Sequence, residues 1–346
     1  MQKKIEFLAI GDITTDAFIR LKEAEVTCDI NKEHCKIAMN FADKIPYEFM
    51  EEVTAVGNSP NAAVAAARLG LTSALVANIG DDDSGKRCLA SLEKDGVDTS
   101  SITAHNGIKT NYHYVLWYQD ERTILVKHET YPYHLPEFPE PSWIYLSSLG
   151  GTSESLHQEI FDYLEQHPEV KLIFQPGTFQ MKLGYEKLTK LYERTHVFIC
   201  NLGEAQQILK TNVHVVTDLL RRLNSIGPKI TIITDGPRGA YAIDSTVSPS
   251  RTYYMPPYPD SKPPYERTGA GDAFASTFSV AIALGNTVEE ALRWAPINSM
   301  SVVQFVGAQK GLLTREAILK YLENAPADYK PKLLTETVQA FTTKNT

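Results

Sequence analysis

A chain of 346 residues with 43% hydrophobic and 22% charged residues carries enough apolar material for one or two packed domains. Its formal net charge of −8, with no block of Lys and Arg, argues against nucleic acid as a partner, since phosphate binding needs clustered cations. No apolar run has membrane-spanning length, the first residues lack a signal-peptide core, and four cysteines make no disulfide framework, so no membrane partner and a cytoplasmic location are expected.

In chain order, residues 5–13 read as a buried strand and 58–69 as a helix, with Asn58 as N-cap, Pro60 in the first turn and Gly70 at the stop. Residues 73–79 read as a strand and 84–95 as a helix closed by Gly96. Short β-rich runs at 142–146, 171–174, 196–200 and 229–234 alternate with helical patterns at 153–166, 201–210 and 216–225. Helices at 272–284, 288–303 and 315–323 follow. This alternation predicts a mainly parallel sheet with helices on both faces.

Two segments break the pattern. Residues 24–56 are irregular and hold Cys28 and Cys35; with His34 these match no zinc spacing and read as free thiols. Residues 110–127 alternate like an antiparallel pair turning at 119–122. Together, residues 16–57 and 108–130 would form a small β-sheet lid. Tyr112, Tyr114, Trp117 and Tyr118 could stack a base or sugar, or pack ordinarily. The stretch 331–346 is a polar tail on a single domain spanning 1–330.

The most informative stretch is Gly269-Ala270-Gly271-Asp272, which opens a helix. Bare backbone amides at a helix N-terminus attract an anion, and a carboxylate placed there suits proton transfer. The pair reads as phosphoryl transfer to a hydroxyl, with Asp272 as base and the amides of Gly269, Ala270 and Gly271 as anion site. Gly80 to Lys86 has P-loop spacing, but Arg87 stands where a hydroxyl is needed and three aspartates would face the phosphates, so that reading is rejected.

Several ordered motifs then resemble the ribokinase (PfkB) family of carbohydrate and nucleoside kinases over residues 5–325. They are Gly57-Asn58-Ser-Pro-Asn61 before an Ala-rich helix, Gly80-Asp-Asp-Asp-Ser-Gly85, Gly96-Val-Asp98, Asn201-Leu-Gly-Glu204, Thr234-Asp-Gly236-Pro-Arg-Gly239 and Thr268-Gly-Ala-Gly-Asp272. The resemblance implies a three-layer α/β/α Rossmann-like core with a small β lid, and transfer of the ATP γ-phosphoryl group to a primary hydroxyl. It implies that Asp16, Gly57, Asn58 and Asn61 hold substrate. It further implies that Asn201, Glu204, Thr234, Gly236, Gly239 and Asn298 serve ATP, with Asn201 and Glu204 organising Mg²⁺ through water. Asn201 and Glu204 also suit a helix-capping pair. Relatives that take phosphorylated sugars often carry Lys where this chain has Asn58, so the resemblance disfavours a phosphosugar. A free ribose- or fructose-like sugar is the expected substrate, with a nucleoside as alternative and an inactive sugar- or nucleotide-binding regulator behind both. Lid sheets pair in many relatives, which implies a homodimer. Glu266-Arg267 departs from the family's usual Asp-Thr, whose Asp helps hold a monovalent cation in many relatives; the longer acid and the added positive charge argue against potassium activation.

Overall fold

The computed structural model describes residues 4–28, 35–119, 121–260 and 262–334. Its frame is a ten-stranded sheet. Strand Phe7–Ile10 lies between parallel neighbours Ser73–Gly80 and Trp143–Leu146. Beyond the latter run Lys171–Phe174, Thr195–Asn201 and Ile230–Thr234, all parallel. Ala240–Asp244, Arg251–Met255 and Lys332–Leu333 close one edge antiparallel, and Ile102–His105 closes the other in parallel.

Successive residues feed opposite layers, as pleating requires. Phe7 and Ala9 pack with the helices Asn58–Arg68, Ala270–Ala283 and Val288–Val302, whereas Leu8 and Ile10 pack with Glu154–Gln166 and Val216–Asn224. Both faces are apolar, so the parallel strands read as continuous hydrophobic runs rather than alternating ones. The expected three-layer α/β fold is present.

Several local expectations need correction. The run 5–13 is not one strand: it ends at Ile10, and the chain re-enters β structure at Thr14–Leu21 in a different sheet. That separate four-stranded sheet has the order Tyr47–Val56, Thr14–Leu21, Asn111–Tyr118, Glu121–Leu125. Glu121 and Arg122 are therefore strand residues and not part of the turn; Asp120 lies outside the described residues. Tyr47–Val56 escaped the sequence reading because its first residues are exposed on both faces, which removes the period-2 signal. Cys28 and Cys35 are joined in a disulfide rather than free. The short antiparallel pair Glu25–Thr27 and Lys36–Ala38 brings them together, since Thr27 and Lys36 are register partners; His34 lies outside the described residues. The polar tail is anchored at its start, with Lys332–Leu333 paired to the sheet just after the buried Tyr329, while 335–346 lie outside the described residues.

Candidate active site

The parallel strands all point their carboxyl ends to one side, the usual ligand side of such sheets. Polar residues emerge there one strand after another: Asp12 beyond Ile10, Ser148 beyond Leu146, Gln175 beyond Phe174, Asn201, and Thr234. With the small sheet above, they enclose a polar cavity of about 400 Å³ lined also by Asp16, Asn58, Asn61, His113, Arg122, His128, Glu204 and Asp272.

Asp272 sits in the first turn of the helix Ala270–Ala283. Its Oδ1 accepts from Asn58 Nδ2 at 2.8 Å and Gln175 Nε2 at 3.3 Å, and its Oδ2 accepts from Asn61 Nδ2 at 2.9 Å. Burial pushes its carboxyl above the usual carboxylate value; the amides of Asn61, Gln175 and Asn58 and the positive charge of Arg122 pull it back. The result is a fixed carboxylate of raised basicity, suited to accept an alcohol proton. Gly269 caps the helix in the left-handed region at φ 82°, and Gly269 and Gly271 line the cavity. Asn58 and Asn61, expected on substrate, thus hold the carboxylate across the site in this state, and Asn61 is fixed in turn by Gln309 Nε2 at 3.0 Å.

The small sheet turns one face to the cavity. Asp16 and His113 are register partners on adjacent strands, with His113 Nδ1 3.4 Å from Asp16 Oδ1. His128 Nδ1 lies 3.4 Å from Asp12 Oδ2, and the Tyr133 hydroxyl donates to both Asp12 oxygens at 2.8 and 3.0 Å. Tyr112 and Tyr114 pack against each other on the opposite face, and Trp117 is buried with Phe18, Val115 and Val306. These aromatics do not line the cavity.

A second cavity of about 440 Å³ adjoins the first and shares Thr234, Arg267 and Gly271 with it. Gly236, Gly239, Ala240, Phe274, Pro296, Met300 and Val303 give it mainly apolar walls, suited to a flat base. The helix start stands where the two cavities meet: Gly269 lines the first, Ala270 the second and Gly271 both. Asn298, expected beside the adenine, is fully buried behind this wall: its Nδ2 donates to Thr277 Oγ1 at 2.7 Å and its Oδ1 accepts from Leu313 N at 2.9 Å. Ser299 and Met300 reach the cavity in its place.

Asn201 and Glu204 form the capping pair that their spacing suggests. Asn201 Oδ1 accepts from Glu204 N at 2.9 Å, and Glu204 Oε2 accepts from Asn201 N at 2.8 Å. Both also line the polar cavity. Burial raises the Glu204 carboxyl, the Asn201 amide lowers it, and the charge of Asp272 raises it again. Two carboxylates facing one cavity are eased by a divalent cation, so the residues fit one. No group of three His, Cys, Asp or Glu able to hold a metal occurs among the described residues.

Sequence reasoning missed Asp12, His113, Arg122, His128 and Gln175. For Asp12 and Gln175 a signal existed, a polar residue directly after a buried parallel strand. For the other three none did, because they enter from the small sheet and the loop beyond it.

Comparison with known proteins fits this geometry. A model of the pfkB family of carbohydrate kinases matches residues 23–315. Ribokinase of Bacillus subtilis (strain 168) is 28% identical over 289 residues, covering 77% of this chain and 87% of that protein. Ribokinase of Arabidopsis thaliana, solved with ribose and ATP, superposes with a TM-score of 0.74 at 18% identity, over 93% of this chain and 99% of that one. A nucleoside kinase of Methanocaldococcus jannaschii superposes with a TM-score of 0.73, also at 18% identity and over 93% and 99% of the two chains. Two cavities meeting at a helix N-terminus, with a hydrogen-bonded carboxylate lining one of them, agree with the match over most of the sequence: the chain belongs to the pfkB family of carbohydrate kinases, phosphotransferases that use ATP and a hydroxyl acceptor.

Proposed function

We propose that the protein transfers the γ-phosphoryl group of ATP to the primary hydroxyl of a free, ribose-like sugar. The observation that carries this reading is the lining of the polar cavity. Carboxylates, amides and imidazoles surround the acceptor side of Asp272, an array matched to the hydroxyls of a small sugar, while the small sheet's tyrosines face away. The adenine would occupy the apolar cavity, the triphosphate would reach the amides at 269–271, and Asp272 would take the acceptor proton. Asp12 and Asp16 would hold the sugar's other hydroxyls. A panel of free pentoses, hexoses and nucleosides, read by ADP release, tests this. Ribose-like sugars should exceed nucleosides in kcat/KM by at least about 10-fold; the reverse order would make this a nucleoside kinase, and no turnover across the panel would make it a binding protein.

Glu204 and Asn201 would hold Mg²⁺ through water, and the ion would supply charge neutralisation of the phosphates. Glu204→Gln should raise the Mg²⁺ concentration needed for half-maximal activity by about 10-fold, with recovery in excess metal. A variant with an unchanged Mg²⁺ requirement would remove Glu204 from that role.

The outer face of the small sheet exposes Tyr114 and its register partner Leu125, with Met50 exposed on the same face two strands away, which supports pairing of two copies through their small sheets. Sedimentation should give a dimer, and Tyr114→Glu should shift it toward monomer.

A further inference from the structure

Glu266, three residues before Gly269, is 1% exposed. Its Oε1 accepts from the backbone N–H of Thr268 at 2.7 Å and from the Thr268 hydroxyl, while its Oε2 has no hydrogen-bond partner. A buried carboxylate left half-satisfied needs a counter-charge. The charge comes from the small sheet: Arg122 Nε, itself buried without a hydrogen-bond partner, stands 4.0 Å from Glu266 Oε1. Next to it the order is reversed, with Glu121 Oε1 3.9 Å from Arg267 Nε. A Glu-Arg dipeptide at the start of one strand therefore meets a Glu-Arg dipeptide before the helix, crosswise. Trp117 and Tyr265 seal one side of this clasp edge to face, ring centroids 5.0 Å apart.

We propose that Arg122 is a positioning residue: it is the charge that the small sheet brings to Glu266, so that docking of the sheet completes the turn carrying the anion-site amides. Glu266 ties down Thr268, and Gly269 follows directly, so the fit of Glu266 fixes the start of the helix. With the sheet withdrawn, Glu266 keeps its Thr268 contacts but loses the Arg122 charge, and the 266–269 turn relaxes. With the sheet docked, the protein supplies its own cation at this turn. Phosphoryl transfer thereby becomes tied to a closed acceptor cavity, which suppresses transfer to water. The inference deepens the kinase reading and rests on it for the activity arm of its test only.

Three variants decide it: Arg122→Gln, Glu266→Gln and the double variant, with Arg122→Lys as the conservative control. Amide exchange at Thr268 reads the turn without any substrate. Arg122→Gln should speed that exchange by about 10-fold and lower kcat by about 10- to 100-fold, with the KM for ATP changed by less than about threefold. Arg122→Lys should recover most of the loss. The double variant should return to within about fivefold of the wild type, because removing both charges leaves nothing unpaired. Exchange of sodium for potassium should leave wild-type turnover unchanged. Unaltered Thr268 exchange in Arg122→Gln, or losses that simply multiply in the double variant, would overturn the proposal. A chain with no kinase turnover but with coupled exchange would instead count against the assigned substrate and leave the clasp standing.

Discussion

Asp272→Asn is expected to lower kcat by about 10²- to 10⁴-fold, the usual contribution of a positioned general base, while the KM for ATP changes only a few-fold. The reason is local. Asp272 is held by three side-chain amides, from Asn58, Asn61 and Gln175, and it lines the polar cavity, away from the apolar walls expected to take the base. The Asn side chain replaces one acceptor oxygen by a donor, which then faces the amide of Asn58 or Asn61. Asp272→Ala removes the base without that conflict, so both variants should fall together. Near-normal turnover in either would end the assignment. The wild-type pH profile carries a second mark. Burial sets the Asp272 carboxyl above the ordinary carboxylate value, and a base must be ionised, so kcat/KM should fall as pH drops through an apparent pKa above the usual carboxylate range. The stability effect has a definite sign. The folded chain binds this proton more tightly than the unfolded chain, so stability declines as pH rises from the unfolded value to the folded one, and the ionised group is carried at a cost above that window.

Much of this site could be read from the sequence because its backbone punctuation is local. Pro60 and Gly70 bounded the helix 58–69, observed as Asn58–Arg68, and the apolar runs of the parallel strands needed no partner to be seen. The contacts that give those residues their roles are not local. Asn58 and Asn61 meet Asp272 from 214 and 211 residues away, so their chemistry appears only when two helix N-termini converge. The same holds for Glu121 and Arg122. Two charged residues read as part of a turn look solvated, and only the register Trp117 to Arg122 shows that they belong to a strand, one that reaches the turn before Gly269. Glu266 looked like an imperfect copy of a family signature; in the fold it is a buried carboxylate with a partner on another sheet. Asn298 shows the opposite error. The family resemblance placed it beside the base, but a fully buried amide must satisfy its own hydrogen bonds, and Thr277 and Leu313 take them.

Gly269→Ala should cost both activity and stability, through two separable causes. The residue has φ 82°, a left-handed conformation that costs a residue with a Cβ about 1–2 kcal/mol. The added Cβ would also lie 2.4 Å from Ala308 Cβ and 2.5 Å from Ala308 Cα, so the backbone of one segment has to move. Such overpacking adds about 1–3 kcal/mol. A combined loss of about 2–5 kcal/mol follows, visible as a lowered denaturation midpoint with the slope unchanged. Catalysis should suffer beyond this, since the displaced residue leads directly into the amides at 270 and 271. Misplacing an anion-stabilising donor costs about 10²- to 10³-fold in kcat. Gly271→Ala separates the causes. No atom lies within 4 Å of a Cβ built there, and its backbone is helical, so folding should hold or improve slightly while the methyl group intrudes on the passage shared by the two cavities. Stability lost at 269 and kept at 271, with turnover reduced at both, is the expected pattern. Full turnover in Gly271→Ala would place the moving phosphoryl group elsewhere.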